Sequence, residues 1–316
     1  MFIKKLTKQV ICNPDEPVVS TPNGKLRGLI VDGTYIFRGI KYADARRFHM
    51  PTPVKAWEGV KEAIIYGPVC PEIQTVQPSD NYTVPHVFYP QDEDCQYLNI
   101  WTQSPDPERK RPVLVWLHGG GFATGSGIEH FAYDGENMSR FGDVVVVTLN
   151  HRLNVLGFLD LSGYGEEYRY SANAGMADII EALRWVQKSI EAFGGDPQNV
   201  TIFGQSGGGG KVAALLQIPS AAGLFHRAVI QSGIIRERAG KEKGPDMTEL
   251  LLRKLEITPE RIREIEEVPY YRFQQIISDL GPHVFMDFGP GRDDDFYRGS
   301  IFEAGICEHA KNIPVI

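Results

Sequence analysis

Two continuous apolar runs, at residues 113–117 and 144–149, constrain the fold of this chain more than any other feature. Both are rich in valine and leucine and are bounded by turn residues. Strands that are apolar along their whole length suit burial on both faces, as in a parallel sheet. The predicted elements that follow are a helix over 174–193, a strand over 200–203, a helix over 211–216 and a strand over 228–231. This alternation predicts an α/β fold with a doubly wound sheet.

The region before the sheet reads differently. Residues 18–42 alternate apolar and polar side chains between turn signals, which predicts two or three antiparallel strands. Residues 66–95 are rich in proline, glutamine, aspartate and asparagine, so we expect a long surface loop there. A short strand is expected over 97–101.

The region after the sheet is predicted to be mostly helical. Residues 236–267 are highly charged, and two or three amphipathic helices are expected between residues 248 and 280. We expect residues 1–316 to form one domain, in which residues 236–290 are a helical insertion or cap beside the sheet. A helix near 301–309 should lead to a further core strand that opens at 313–316, so the predicted sheet is incomplete at its C-terminus.

The composition is that of an ordinary globular protein. The chain has 316 residues, of which 42% are hydrophobic and 23% charged, so a large core is expected and disorder is not. The formal net charge of −7 argues against nucleic-acid binding, because such proteins carry a basic surplus or stripe. No apolar run approaches the ~20 residues that span a bilayer, and residues 1–17 lack a signal-peptide pattern. We therefore expect a cytoplasmic protein that does not bind a membrane.

The cysteines offer no metal-binding motif. Cys12, Cys70, Cys95 and Cys307 contain no C-x-x-C pair, which argues against a zinc site. Cys70 and Cys95 could close a loop in an oxidising compartment. In a cytoplasmic protein, free thiols are the expectation.

Residues 204–208 read Gly-Gln-Ser-Gly-Gly, a G-x-S-x-G motif centred on Ser206. The motif follows an apolar strand and precedes a helix, which is the context of a nucleophile elbow. In that elbow a strained turn lifts the serine Oγ clear of the sheet, and flanking glycines avoid the clash that a Cβ would cause. The helix N-terminus also favours negative charge near Ser206. The alternative is a glycine-rich strand–helix turn, for example one that binds phosphate.

A second motif, His118-Gly119-Gly120-Gly121, comes directly after the first apolar run. Its glycines leave backbone N–H groups free to converge on a developing oxyanion. Gly120 and Gly121 are the expected donors, joined by the N–H of Gly207 just after the nucleophile. His118 could be considered as a general base, but a structural histidine that fixes the loop is the better interpretation. The oxyanion motif precedes the nucleophile motif, as it does in α/β-hydrolases.

Longer blocks make the chain resemble the type B carboxylesterases, the carboxylesterase/cholinesterase family. Residues 193–208 fit the family's nucleophile pattern from end to end. Residues 93–101 resemble its second pattern, with Gln96 where leucine is usual. Further blocks that resemble the family lie at 150–153, 157–158, 173–178 and 231–233. The resemblance covers nearly the whole chain and implies an α/β-hydrolase fold, with a mostly parallel central sheet flanked by helices.

The resemblance implies a serine carboxylesterase that hydrolyses carboxylic esters without a cofactor or metal. It places the nucleophile on Ser206 and the oxyanion hole on Gly120, Gly121 and Gly207. It also implies an acyl pocket lined by Phe285, Met286 and Phe288, for which ordinary core packing is an equally good explanation. Further implied features are the ion pairs Arg47–Glu93 and Arg152–Asp178, a Cys70–Cys95 bridge in secreted members, and a buried Ser232 that supports the triad acid.

Some residues depart from the family pattern. No tryptophan lies between Cys70 and Cys95, so the cation-binding site of cholinesterases is not supported. Gln205 stands where the family often has glutamate, and Gly207 where it often has alanine. Both residues still fit a nucleophile elbow.

The remaining triad members are the main open question. In the family the acid lies just beyond a strand like 313–316 and the histidine much further on, so both positions would fall past Ile316. The expectation is that a second chain, carrying a C-terminal remainder, completes the site. His226, His283 and His309 follow Ser206 in this chain, but none has the family's strand–loop context, which argues against an internal triad.

Two other functions stay open at this point. The chain could be an inactive fragment or a non-catalytic binding module, since the family contains adhesion and receptor members. The retained Ser206 with intact glycines on both sides argues against this. An amide or thioester substrate is the other possibility, and the sequence alone does not separate these from an ester.

Overall fold

The computed structural model describes residues 8–73, 87–233, 247–281, 284, 287–293 and 295–316. The strands are β1 (Val10–Ile11), β2 (Val18–Thr21), β3 (Gly24–Arg27), β4 (Leu29–Val31), β5 (Thr34–Lys41), β6 (Ala43–Asp44), β7 (Thr52–Pro53), β8 (Val60–Glu62), β9 (Tyr97–Thr102), β10 (Arg111–Leu117), β11 (Val145–Leu149), β12 (Gly195–Gln205) and β13 (Arg227–Gln231). The α-helices are α1 (Glu136–Gly142), α2 (Asn154–Phe158), α3 (Ala174–Ser189), α4 (Gly207–Leu215), α5 (Met247–Leu255), α6 (Tyr270–Leu280) and α7 (Ile301–Ala304).

An eight-stranded sheet forms the centre of the described structure, in the order β1-β4-β5-β9-β11-β10-β12-β13. The two apolar runs become neighbouring parallel strands, with Val113 opposite Val145 on one side and Val200 on the other. Parallel pairing is confined to β10–β13, whereas the pairs from β1 through β9 to β11 are antiparallel. The sheet is therefore mixed rather than mostly parallel, because consecutive hairpin strands such as β4 and β5 must run antiparallel.

Both faces of the central sheet are covered. Along β10, Val113 and Val115 pack into the main core with residues of α3, whereas Leu114 on the other face adjoins a second cluster around Trp101. Gly135, which precedes α1, lies against the Trp101 ring. Burying one valine or leucine side chain stabilises a fold by about 1.5–3 kcal/mol, so these strands anchor the molecule. The layers of helix, sheet and helix confirm the predicted α/β-hydrolase fold.

Two ion pairs implied by the resemblance are present. Arg152 Nη2 lies 2.7 Å from Asp178 Oδ1, and both side chains are buried. Arg47 Nε donates to Glu93 Oε2 at 2.8 Å. The Arg152 guanidinium also donates to the backbone carbonyl of His49 at 2.8 Å, so it ties the turn between β6 and β7 to the turn after β11.

The charged region after the sheet is helical, as predicted for residues 248–280. Helices α5 and α6 flank a 3-10 helix, Pro259–Glu266, that begins after Thr258. Helix α6 is joined to the loop before β9, since the Tyr270 hydroxyl donates to the Pro71 carbonyl at 3.0 Å. The assignment of residues 236–290 to an insertion within a single domain stays a prediction.

Several element bounds differ from the sequence prediction. The helix predicted over 174–193 ends at Ser189 and continues as a 3-10 helix, Ile190–Phe193. Strand β12 begins at Gly195 rather than residue 200, because Gly195 already pairs with Arg111 of β10. Residues 313–316 form only an isolated parallel bridge, with Val315 opposite Ala228 of β13. Within the loop predicted over 66–95, residues 74–86 lie outside the described residues.

The cysteines are free thiols, and Cys70 and Cys95 are both buried. The bridge implied for secreted relatives is thus not formed between them. Burial, reinforced by the neighbouring Cys70, raises the pKa of the Cys95 thiol well above its ordinary value. In the described part of the chain, no helix has the length and apolar character needed to cross a bilayer.

Candidate active site

Ser206 occupies a sharp turn between β12, which ends at Gln205, and α4, which begins at Gly207. Its backbone has φ 55° and ψ −123°, a conformation that is costly for a residue with a side chain. The Ser206 N–H donates to the Gln231 carbonyl of β13 at 2.8 Å, which holds the strained turn in place. Ser206 is exposed, as a nucleophile that meets a substrate must be.

Glycine is required on both sides of Ser206 because β10 passes close to the turn. A Cβ on Gly208 would lie 2.0 Å from the Leu117 carbonyl oxygen, and one on Gly204 would lie 2.5 Å from the Gly208 carbonyl carbon. Real Cβ atoms do not approach so closely. The G-x-S-x-G pattern therefore follows from the contact between the turn and the end of β10, as a nucleophile elbow requires.

The second glycine motif lies beside this turn, at the C-terminal end of β10. A Cβ on Gly207 would lie 2.4 Å from the Gly121 backbone nitrogen, and one on Gly119 would lie 3.8 Å from the Ser206 Cβ. Gly120 and Gly121 have φ values of +83° and +62°, which only glycine adopts without strain. The structure thus brings the four predicted residues Ser206, Gly120, Gly121 and Gly207 together.

Three successive carbonyl groups of this loop are already engaged. The His118 carbonyl accepts from Lys211 Nζ at 2.8 Å, the Gly119 carbonyl from His118 Nδ1 at 2.9 Å, and the Gly120 carbonyl from the Thr124 N–H at 3.1 Å. A trans peptide directs its N–H opposite to its carbonyl. The N–H groups that follow these carbonyls therefore point away from the contacts that hold the loop.

The His118 ring supports the structural interpretation of this histidine. It is completely buried, its Nδ1–H donates to the Gly119 carbonyl, and its ring stacks on His151 at 5.1 Å between centroids. Burial, followed by the charge of Lys211, lowers the pKa of His118 well below its ordinary value. Burial and Lys211 lower the pKa of His151 in the same way. Both rings are therefore neutral.

Two charged residues that the sequence interpretation missed lie behind the loop. Lys211, on α4, is completely buried, and burial lowers its pKa to about 7, with the Glu129 charge acting in the opposite direction. Burial raises the pKa of Glu129 to about 7, helped by the charge of Glu72 and opposed by Lys211. The sequence signal for Lys211 is a lysine inside an otherwise Gly, Val, Ala and Leu stretch; Glu129 has no such signal.

The residues predicted for the acyl pocket and for support of the triad acid have different outcomes. Phe288 is buried in the main core, and the adjacent Gly289 would bring a Cβ within 3.7 Å of the Phe122 ring, next to Gly121. Phe285 and Met286 lie outside the described residues. Ser232 is exposed and has φ +53°, so the expectation that it is buried is wrong. It directly follows β13, where the chain leaves the sheet.

The described histidines that follow Ser206 in the chain lie far from the Ser206 turn. His226 Nδ1 accepts from the Val200 N–H at 3.2 Å, at the middle of β12, about 20 Å from Ser206 at the usual rise of a strand. His309 Nε2 contacts the Leu215 carbonyl at 3.3 Å, at the far end of α4. His283 lies outside the described residues. The predicted absence of an internal triad is consistent with the positions of His226 and His309.

Metal binding finds no support in the described ranges, where no group of three or more His, Cys, Asp or Glu side chains is placed to hold an ion.

Comparison with known proteins gives concordant matches. A family model described as the carboxylesterase family matches residues 15–298. The para-nitrobenzyl esterase of Bacillus subtilis is 42% identical over 257 residues, which are 79% of this chain and 50% of that protein. The phenmedipham hydrolase of Pseudarthrobacter oxydans is 45% identical over 68% of this chain and 43% of that protein.

Solved structures match over almost the whole chain. An esterase from Clostridium hathewayi, described as able to hydrolyse aliphatic aromatic polyesters, gives a TM-score of 0.89 at 52% identity, over 98% of this chain and 63% of that one. A Geobacillus stearothermophilus carboxylesterase gives 0.79 at 42% identity, over 94% and 60%. The chain spans about half the length of the curated relatives it matches. With its fold, its two glycine motifs and these matches, the chain belongs to the carboxylesterase family.

Proposed function

We propose that this protein hydrolyses carboxylic esters through an acyl-enzyme on Ser206. The observation that carries the proposal is the contact between the two glycine motifs: the exposed, strained Ser206 lies beside a loop whose carbonyls are engaged elsewhere. A serine hydroxyl and free backbone N–H groups at one point are what acyl transfer requires. Membership of the carboxylesterase family supports the same reaction.

In the proposed mechanism Ser206 Oγ attacks the ester carbonyl carbon while a base takes the hydroxyl proton. The N–H groups of Gly120, Gly121 and Gly207 stabilise the oxyanion of the tetrahedral intermediate. The alcohol leaves with a proton, and water then attacks the acyl-enzyme to release the acid and restore Ser206. Each oxyanion donor contributes about 10²–10³ in rate.

None of the three histidines considered as a base for Ser206 in the described residues is placed to accept its proton. His118 is buried and neutral with its Nδ1 on a backbone carbonyl, while His226 and His309 lie away from the elbow. We predict that a C-terminal remainder on a second chain completes the triad. Triad members act as a unit, so full activity requires both partners of Ser206.

The proposed substrates are small esters with an acyl group that fits beside Phe122. Phe288, together with Phe285 and Met286, is proposed to line the acyl pocket. Gly289, the neighbour of Phe288, lies against the Phe122 ring, which supports a place for Phe288 near the oxyanion loop. Similarity to a para-nitrobenzyl esterase and to an esterase that acts on aliphatic aromatic polyesters favours esters with an aromatic part.

A fluorophosphonate probe tests the nucleophile directly. The purified protein is treated with the probe and its intact mass is measured under denaturing conditions, followed by peptide mapping. We expect one adduct, on Ser206, and none in Ser206→Ala. Ser232→Ala is the matched control, because Ser232 is also an exposed serine with positive φ after a strand of the same sheet; it should label normally.

The same measurement tests the other predictions about this site. A second polypeptide in the intact mass would support completion of the triad by another chain. A single chain of 35.3 kDa that carries no adduct would identify an inactive fragment or a binding module instead. Unchanged ester hydrolysis by Ser206→Ala would refute the nucleophile assignment.

A further inference from the structure

Lys211 is a buried lysine directly behind the proposed oxyanion loop. It lies on α4, five residues after Ser206, and none of its surface is exposed. The residues that follow it on the helix are apolar. A buried ammonium group is costly unless it is well paired, and burial already lowers the pKa of Lys211 to about 7. Stability alone is thus a poor explanation for Lys211.

Two contacts of Lys211 involve residues that flank the loop of the proposed oxyanion donors. Its Nζ donates to the His118 carbonyl oxygen at 2.8 Å and lies 5.9 Å from the centre of the Phe122 ring. These two residues flank the three glycines at 119–121. The charges and rings that face Lys211 are Glu129, His118 and His151.

Glu129 also lies next to this loop. A Cβ on Gly125 would lie 2.8 Å from His118 Nδ1, 2.9 Å from the Gly119 carbonyl oxygen and 3.3 Å from Glu129 Oε1. The three groups therefore meet at one point. The Gly125 N–H donates to Glu72 Oε1 at 2.7 Å, which adds a second carboxylate to this end of the loop.

We propose that Lys211 is a positioning residue that holds the Gly119–Gly121 peptides in the orientation needed to stabilise an oxyanion. This inference rests on the proposed esterase function. The lysine fixes the His118 carbonyl, and the planar peptide then fixes the direction of the Gly119 N–H. The His118 ring fixes the next peptide, and with it the Gly120 N–H, so Lys211 acts on that proposed donor through the adjoining His118–Gly119 peptide.

The chemistry gives this arrangement a function beyond stability. Oxyanion donors act only when they point at the position where charge develops, and a misplacement of about 1 Å can cost about 10²-fold in rate. The Lys211 amine has N–H donors in both protonation states, so its hydrogen bond to the His118 carbonyl does not depend on charge at a pKa of about 7. Lys211 thus acts on the reaction through the loop, without touching the substrate.

Two variants of similar size separate positioning from packing. Lys211→Met fills the space without a hydrogen-bond donor, whereas Lys211→Gln keeps a neutral donor near the His118 carbonyl. The measurements are kcat/KM for p-nitrophenyl butyrate and the inhibition constants of two matched ketones. A trifluoromethyl ketone forms a tetrahedral oxyanion adduct with the serine, whereas the corresponding methyl ketone serves as a ground-state analogue.

We expect Lys211→Met to lose about 10- to 100-fold in kcat/KM and to bind the trifluoromethyl ketone more weakly by a similar factor. Binding of the methyl ketone should stay within about twofold of wild type, since it does not depend on oxyanion stabilisation. Lys211→Gln should recover much of the loss. A structural role would not change the two ketones differently.

Other outcomes would overturn the proposal. A folded Lys211→Met with wild-type kcat/KM would show that the loop needs no lysine, and equal loss of both ketones would assign the effect to the whole pocket. If neither variant folds, Lys211 is a folding residue. The wild-type protein tests the proposed esterase function separately from the role of Lys211. If the wild type were inactive and not labelled by the fluorophosphonate, the proposed function would fail whatever the Lys211 variants show.

Discussion

A Cβ atom placed on Gly207 would lie 2.4 Å from the backbone nitrogen, the Cα and the carbonyl oxygen of Gly121. The residue after the proposed nucleophile and the last glycine of the loop are therefore in backbone contact. The family often carries alanine at the position of Gly207, and in this chain the approach is closer than alanine allows. The two proposed oxyanion donors are thus positioned by each other.

Gly207→Ala should consequently impair catalysis more than folding. The added methyl group must push the Gly121 backbone away, which displaces the N–H groups of both residues. We expect kcat/KM for a p-nitrophenyl ester to fall by about tenfold or more. Gly163→Ala is the control, because a Cβ there meets nothing within 4 Å, and it should leave the rate unchanged. Wild-type activity in Gly207→Ala would mean that the loop moves freely.

The sequence was sufficient to predict the centre of the fold and the two motifs of the site. The apolar runs indicated buried strands, and the G-x-S-x-G motif indicated a tight turn between β12 and α4. The antiparallel half of the sheet was predicted only as local hairpins around residues 18–42. Its pairing with β11 through β9 depends on contacts between distant residues, which periodicity does not contain.

The polar cluster behind the loop was not predicted, for a physical reason. Lys211 and Glu129 are 82 positions apart in the chain, and their interaction appears only when α4 packs beneath the loop. The burial expected for Ser232 was wrong, since that residue directly follows β13 and is exposed. Motifs defined by local backbone geometry were therefore predictable, whereas burial of single polar residues was not.

Asp178→Asn should destabilise the fold strongly. Asp178 and Arg152 form an ion pair at 2.7 Å, with side chains 0% and 2% exposed. Removing one partner leaves a buried charge without compensation, which typically costs about 3–5 kcal/mol in the free energy of unfolding. Urea unfolding followed by tryptophan fluorescence measures this.

The matched control is an exposed pair. Arg261 and Glu264 lie 3.2 Å apart with both side chains about half exposed, so Glu264→Gln should change the unfolding free energy by less than about 1 kcal/mol. Equal effects of the two substitutions would show that burial does not decide the strength of the Arg152–Asp178 pair.

Thiol reactivity should distinguish Cys12 from the other three cysteines. Cys12 is exposed, whereas Cys70, Cys95 and Cys307 are buried. Because the thiolate is the reactive form and needs access to the reagent, native protein should react rapidly with about one equivalent of a disulfide reagent. Denatured, reduced protein should react with all four cysteines. Cys12→Ser should abolish the rapid phase, and a persistent rapid phase would contradict the burial of the others.

Glu129→Gln should change how stability depends on pH. Burial raises the pKa of Glu129 from 4.5 to about 7 in the folded protein, so the native state holds an extra proton between those values. The contribution of Glu129 to the free energy of unfolding of the wild type is therefore fully present below about pH 4.5, and it is lost as the pH rises through about 7. Glutamine cannot ionise, so the variant should escape this loss.

The stability of Glu129→Gln relative to wild type should thus increase between pH 5 and pH 7.5. Each unit of pKa difference corresponds to about 1.4 kcal/mol, so the relative increase should be on the order of 1–3 kcal/mol in urea unfolding. The exposed Glu264→Gln serves as the comparison and should show a much smaller change. A pH-independent difference between Glu129→Gln and wild type would mean that Glu129 ionises as readily in the folded protein as in the unfolded chain, and the buried cluster with Lys211 would then need a different electrostatic description.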